Sequence, residues 1–165
     1  MLNYQITPQI AFTQILLYEQ PSAIAWVTGN PANPQLGGLV KFYQTSYGGI
    51  LVAAEVFGLP NINLPDSSNF YAMHIHEFSD CSGNFDKSGM HYNPTDQEHP
   101  GHAGDLPPLL GNQGYAFSVF YDKRLTIPEI IGKSVIIHSQ PDDFTTQPSG
   151  NSGEKIGCGE IKRAV

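Results

Sequence analysis

The sequence predicts an all-β fold, an eight-stranded sandwich or barrel with two long functional loops. Three observations lead there. Apolar residues fall in short β-branched and aromatic runs, each bounded by Gly, Pro, Asn or Ser. The 17 Gly and 13 Pro leave little room for helix. Two connections, 79 to 104 and 139 to 154, are far longer than the few residues that usually join strands. Structureless loops of that length in a compact domain are functional or disordered, and the first one is crowded with histidine.

The elements follow in order. "AIAWVTG" (23–29), "GLVKFYQT" (38–45) and "ILVAAEVFGL" (50–59) read as the first three strands, with "TSYGG" fit for a tight hairpin between the second and third. "FYAMHIHEF" (70–78), "DLPPLL" (105–110), "YAFSVFYD" (115–122), "KSVIIHS" (133–139) and "KIGCGEI" (155–161) complete the eight, and "GNQG" turns the fifth into the sixth. Only "TIPEIIGK" (126–133) is expected to hold a helical turn, with Thr126 as its N-cap.

At 165 residues the chain suits one domain with a sizeable core. The net charge of -7 and the absence of any basic run exclude a nucleic-acid partner, because phosphates demand clustered Lys and Arg. The longest oily run, "IAFTQILLY" (10–18), is broken by Thr13 and Gln14 and falls short of the roughly 18 apolar residues of a membrane span. No basic residue precedes it, so the N-terminus does not read as a secretory signal. The chain as written suggests the cytoplasm, and removal of a leader would place it outside; the compartment stays open.

Five of the six histidines lie between residues 70 and 106. His74 and His76 stand two apart on an expected strand, so their side chains leave the same face and can share one ligand. His91, His99, His102 and Asp105 follow at spacings of eight, three and three in a Gly- and Pro-rich loop that can curl around a second centre. His138 ends the apolar run "SVII" and is suited to complete the site begun by His74 and His76. Imidazole with carboxylate suits zinc, and imidazole alone suits copper too. One loop histidine is ordinarily a solvated surface residue. An HxH pair with a loop cluster and an Asp, exhausting the histidines of the chain, points to metal.

The strings "HIHEFSDC", "SGMHYNP", "HAGDLPPLL", "IGKSVIIHSQPDD" and "NSGEKIGCGEI" together resemble the copper/zinc superoxide dismutase family, in order, from about residue 23 to the C-terminus. The resemblance implies a Greek-key barrel over 23–165, preceded by an extension over 1–22 in which "IAFTQILLY" serves as an extra edge strand or a partner surface. It assigns His74, His76, His91 and His138 to copper. His91, His99, His102 and Asp105 go to zinc, so that His91 bridges the two metals. Asp142 matches the carboxylate that hydrogen-bonds a copper-ligand and a zinc-ligand histidine, here His74 and His99. Without the resemblance, an Asx turn after Pro141 is an equal reading of Asp142. Cys81 and Cys158 match the family's intrasubunit disulfide, in a spacing associated with bacterial members. Two reduced thiols are the alternative for an unexported chain.

The activity so implied is dismutation of superoxide to oxygen and hydrogen peroxide, with copper cycling, zinc holding the geometry and His91 carrying a proton. Some family members are homodimers, which makes a homodimer an open possibility here. Three departures stand out. "NSGEK" puts Lys155 where the family carries an arginine beside copper, keeping the charge and losing the planar fork. Ala72 replaces a glycine before the first ligands, and its methyl is expected to crowd the ligand strand. The 139–154 loop has no Lys or Arg and carries Asp142, Asp143 and Glu154. These departures keep a second function in view, a dismutase-like protein that stores or delivers metal with little turnover. A cupin-type oxygenase would also begin with "HIHE", but it predicts one metal and leaves His91, His99 and His102 unexplained.

Overall fold

Short runs of alternating burial, linked by Gly- and Asn-containing turns, pair here into one curled antiparallel sheet. The computed structural model describes residues 7–60 and 68–165, so the first six residues of the N-terminal extension lie outside the described part. The strands are β1 (Ala23–Gly29), β2 (Gly37–Gln44), β3 (Ile50–Phe57), β4 (Phe70–Tyr71), β5 (Met73–His76), β6 (Leu109–Leu110), β7 (Ala116–Asp122), β8 (Ser134–His138) and β9 (Lys155–Arg163). Seven join in the order β5-β8-β9-β1-β2-β3-β7, and β4 pairs with β6. Because β6 lies against β7 and β4 is continuous with β5 through Ala72, the small pair draws the two edges of the large sheet together. The chain crosses from β3 to β5 at the far edge, returns to β7, and crosses again to β8. Such connections make the curled sheet a Greek-key barrel.

The inward residues of alternating strands form one core: Ala23, Ala25 and Val27 on β1, Val40 and Phe42 on β2, and Ile50, Val52, Ala54 and Val56 on β3. β8 is buried on both faces. Its Val135 and Ile137 enter that core, whereas Ile136 meets Phe85 and Cys158 under the first long loop. That loop is tied down by a Cys81–Cys158 disulfide, with Cα atoms 5.6 Å apart.

Three expectations need correction. The run 70–78 is two strands, giving nine in all among the described residues, because the chain changes partner at Ala72. Tyr71 pairs with Leu109 on β6, while Ala72 donates to Gln140 O and accepts from His138 N, both at 2.9 Å. Ala72 is fully buried at that corner and needs no left-handed backbone. Thr126 does stand at the N-cap of a helical turn, α2 (Ile127–Ile130), but its hydroxyl donates to the Glu129 carboxylate and makes no side-chain capping bond to the backbone.

The third correction is the segment 10–18, which is no edge strand. It belongs to helix α1 (Pro8–Tyr18). Thr7 Oγ1 accepts from Ile10 N at 3.4 Å, and Pro8 opens the first turn, where no N–H is needed. Phe12, Ile15 and Leu16 then fall on one face at helical spacing. Ile15 is buried against Tyr43 and Leu51 on the outer face of the barrel, and Phe12 stacks on Tyr121 at 5.0 Å. Among the described residues no helix is long and apolar enough to cross a membrane.

Candidate metal centre

β5 delivers the first two donors. His74 and His76 alternate with Met73 and Ile75, so the apolar pair enters the core while both imidazoles leave by the other face. The first long loop doubles back beside β5. Tyr92 N donates to Ile75 O at 2.8 Å and Ile75 N to Gly104 O at 2.9 Å, which sets His76 opposite His91 and His74 opposite Asp105. His138 arrives from the end of β8, where a register shift after Ile137 turns it toward β5. All seven residues are buried.

The donor atoms converge in two groups. Those of His74, His76, His91 and His138 lie within 4.8 Å of one another, as do those of His91, His99, His102 and Asp105. His91 belongs to both. His76 Nε2 and His138 Nε2 are 3.3 Å apart, and the His74 and His91 ring centroids are 3.9 Å apart. In the second group, His91 Nδ1, His99 Nδ1 and His102 Nδ1 lie 2.8, 3.1 and 3.3 Å from the Asp105 oxygens.

Outer partners fix how each ring is turned. Asp142 accepts from His74 Nε2 at 2.9 Å and His99 Nε2 at 2.8 Å, joining the two groups from behind. His76 Nδ1 donates to Gly89 O at 2.9 Å, and His138 Nδ1 to Gly153 O at 3.3 Å. The opposite nitrogens therefore face inward. His74 Nδ1, His91 Nε2, His99 Nδ1 and His102 Nδ1 are buried without any hydrogen-bond partner among the described residues. Buried polar atoms are seldom left so, and such atoms within the two groups suit metal ligation. Four imidazoles fit copper and three imidazoles with a carboxylate fit zinc.

Charge agrees with this. Burial pushes the His74, His76 and His138 imidazoles well below their ordinary pKa, His138 to about 3, leaving their lone pairs free at neutral pH. Burial would raise the Asp142 carboxyl, but hydrogen bonds from His74, Phe144 N and His99 overcome it and hold the group at about 2. The Asx turn is present as well, because Asp142 Oδ1 accepts from Phe144 N at 2.7 Å. Lys155 stands behind His76. Its Nζ donates to Ser88 Oγ at 2.9 Å, Gly89 O at 3.1 Å and Phe85 O at 3.3 Å. Burial lowers its pKa while Asp86 opposes the shift, and Lys155, Asp86 and Glu154 line a cleft of about 440 Å³.

Two residues of the site have no signal in the sequence. Gln147 brackets the backbone of His99, accepting from its N–H at 3.0 Å and donating to its carbonyl at 2.6 Å. Gly150, at φ +67, lies so close to the Asp142–His99 bond that a Cβ there would stand 2.0 Å from Asp142 Oδ1. Only glycine suits both the backbone and the space.

The copper/zinc superoxide dismutase family model matches residues 36–161. The chain is 34% identical over 148 residues to the extracellular superoxide dismutase [Cu-Zn] of Mus musculus, covering 84% of this chain and 57% of that protein. It is 30% identical over 155 residues to superoxide dismutase [Cu-Zn] 3 of Arabidopsis thaliana, covering 84% and 88%. The copper chaperone for superoxide dismutase of Homo sapiens is 29% identical over 152 residues, covering 84% and 52%. The chain thus spans little more than half the length of the mouse and human proteins. A crystal structure of the clock protein EA4 superimposes with a TM-score of 0.74 at 28% identity, covering 87% of this chain and 96% of that one. With a family match over most of the barrel, and two donor groups that fit copper and zinc around a shared His91, the chain belongs to the copper/zinc superoxide dismutase family.

Proposed function

We propose that this protein dismutes superoxide at a copper and zinc pair bridged by His91. The observation that carries the reading is the convergence of seven buried donor residues on two centres that share one imidazole. His74, His76, His91 and His138 would hold copper, and His91, His99, His102 and Asp105 would hold zinc. When bound, copper supplies the one-electron chemistry that turns two superoxide anions and two protons into oxygen and hydrogen peroxide, while zinc has no redox chemistry to offer.

The protein's own groups do the rest. Asp142 fixes the tautomers of His74 and His99, so neither ring can turn away from its centre. His91 is the proton carrier: Nδ1 lies on the Asp105 side, where zinc would be held, and Nε2, on the copper side, is the nitrogen that would take up and hand on a proton. Lys155 provides the cation on the copper side. It attracts an anion by charge, since its three N–H groups already have three acceptors.

A second reading, copper storage or delivery with little turnover, is favoured by one observation. Asp86 and Glu154 share the cleft with Lys155 and weaken its pull on an anion. One experiment separates the two: load the protein with copper and zinc, measure both metals per chain, and follow superoxide removal. One copper and one zinc with rapid removal supports the dismutase. Full loading without removal supports storage or delivery. A single metal per chain, with a copper spectrum that His91→Ala leaves unchanged, rules out the bridged pair.

A further inference from the structure

The turn that carries His102 and Asp105 is held from behind by an arginine outside both donor groups. We infer that Arg124 is a positioning residue for the zinc-side ligands, acting through their main-chain carbonyls; this rests on reading His91, His99, His102 and Asp105 as the zinc site. Arg124 Nη1 donates to His102 O at 3.0 Å, and Nη2 donates to Asp105 O at 2.6 Å. The same guanidinium is oriented by Asp122, which accepts from Nε at 3.2 Å and from Nη2 at 2.7 Å. Asp122 is buried at the last position of β7, paired in register with Ile50 of β3. The fork is therefore anchored to the barrel wall and grips the metal loop.

The gripped turn is already self-bonded. Asp105 N donates to His102 O at 3.1 Å, and His102 N donates to Asp105 Oδ2 at 3.0 Å. These two bonds set the local bend of 102–105, and the bond from Ile75 N to Gly104 O ties its middle to β5. The guanidinium anchors its two ends, at the carbonyls of His102 and Asp105. Its side chain is 44% exposed, so the Arg124–Asp122 ion pair is worth little as a general stabiliser. Its value lies in geometry. Lysine would keep the charge and reach one carbonyl at a time, without the paired donors that keep His102 Nδ1 and Asp105 Oδ1 in register.

The test uses the full chain with its disulfide intact, comparing wild type with Arg124→Lys and Arg124→Gln. Zn²⁺ affinity is measured by competition with a chromophoric chelator. The visible absorption of Co²⁺ placed in the same site reports ligand geometry. Cu²⁺ affinity and the unfolding midpoint of the metal-free protein serve as controls. The expected result is a fall in Zn²⁺ affinity of about 10- to 100-fold in both variants, the loss typical of removing an outer partner of metal ligands. The Co²⁺ spectrum shifts, and the two controls stay near wild type. Wild-type Zn²⁺ affinity and an unshifted Co²⁺ spectrum in both variants would overturn the inference. So would equal losses of Zn²⁺ and Cu²⁺ affinity with a lowered metal-free midpoint, which would make Arg124 a general fold residue. If wild type itself takes up neither Zn²⁺ nor Co²⁺, the zinc reading fails first and the inference falls with it.

Discussion

Lys155 has three hydrogens on Nζ and three oxygen acceptors around it, those of Phe85, Ser88 and Gly89. Arginine has five N–H donors, so the same anchoring would leave donors free to hold an anion. Lys155→Arg is therefore expected to raise the rate constant for superoxide removal. Lys155→Glu is expected to lower it at least about tenfold, a barrier change of roughly 1.4 kcal/mol. Metal content is matched among the variants first, and the difference should shrink with added salt. Equal rates for Lys, Arg and Glu at low salt would remove Lys155 from anion guidance. Gly150 makes a second prediction at this scale. A Cβ there would also stand 2.6 Å from His99 Nε2, so Gly150→Ala meets both a left-handed backbone and a clash. Gly132, at φ +79 with no described atom within 4 Å of its Cβ position, is the control that meets the backbone penalty alone. Gly132→Ala should cost about 1–3 kcal/mol, and Gly150→Ala distinctly more, with weaker binding of both metals because Asp142 serves both groups. Unfolding midpoints and metal titrations of the two variants check this.

Among the elements, α1 makes the sharpest prediction, because it seats on the barrel through few side chains. Ile15 is 7% exposed, whereas Leu17 on the opposite side is 66% exposed. Ile15→Ala should lose about 2 kcal/mol of stability, the low end for a buried isoleucine, since the site lies on the outside of the sheet. Leu17→Ala should stay within about 0.5 kcal/mol of wild type. Denaturant unfolding of both variants measures the contrast, and equal values would mean that the helix is not docked in solution. β5 illustrates the opposite case, in which an element's role follows from its period alone. Its two-residue repeat separates Met73 and Ile75 from His74 and His76 without help from any neighbour.

At the scale of the whole molecule, the Cys81–Cys158 bond closes a span of 77 residues and joins the first long loop to the last strand. In the chain-entropy model such a loop contributes roughly 4.5 kcal/mol. The same loop carries Gly89, which accepts from His76 Nδ1, so the bond bears on the site as well as on stability. Reduction should lower the thermal midpoint, raise amide exchange in residues 79–104 and speed the loss of zinc. Two free thiols in the air-oxidised folded protein would contradict the bond. Thermal scans with and without reductant, together with a thiol count, decide it.

The sequence by itself determined the all-β class and the family, and it singled out the seven candidate donor residues that the fold brings together. Each of these rests on local information: alternation along a strand, turn chemistry, and histidines whose spacing repeats a known pattern. It left the 10–18 segment open between strand and surface, and only the tertiary structure made it a helix. The signal was there in Thr7, Pro8 and the Phe12–Ile15–Leu16 spacing, but apolar runs of nine residues suit either period, and the packing partners Tyr43, Leu51 and Tyr121 decide between them. The break of the 70–78 run at Ala72 has the same origin, because it occurs where Gln140 and β8 take over the pairing. Gln147, Gly150 and Arg124 were illegible for a stronger reason. Their contacts run to backbone atoms or to a bond between two other side chains, 19 to 51 positions of chain apart or next to a carboxylate eight residues away. A backbone carbonyl has no residue type to recognise, so only the folded chain says which one an arginine or a glutamine will meet.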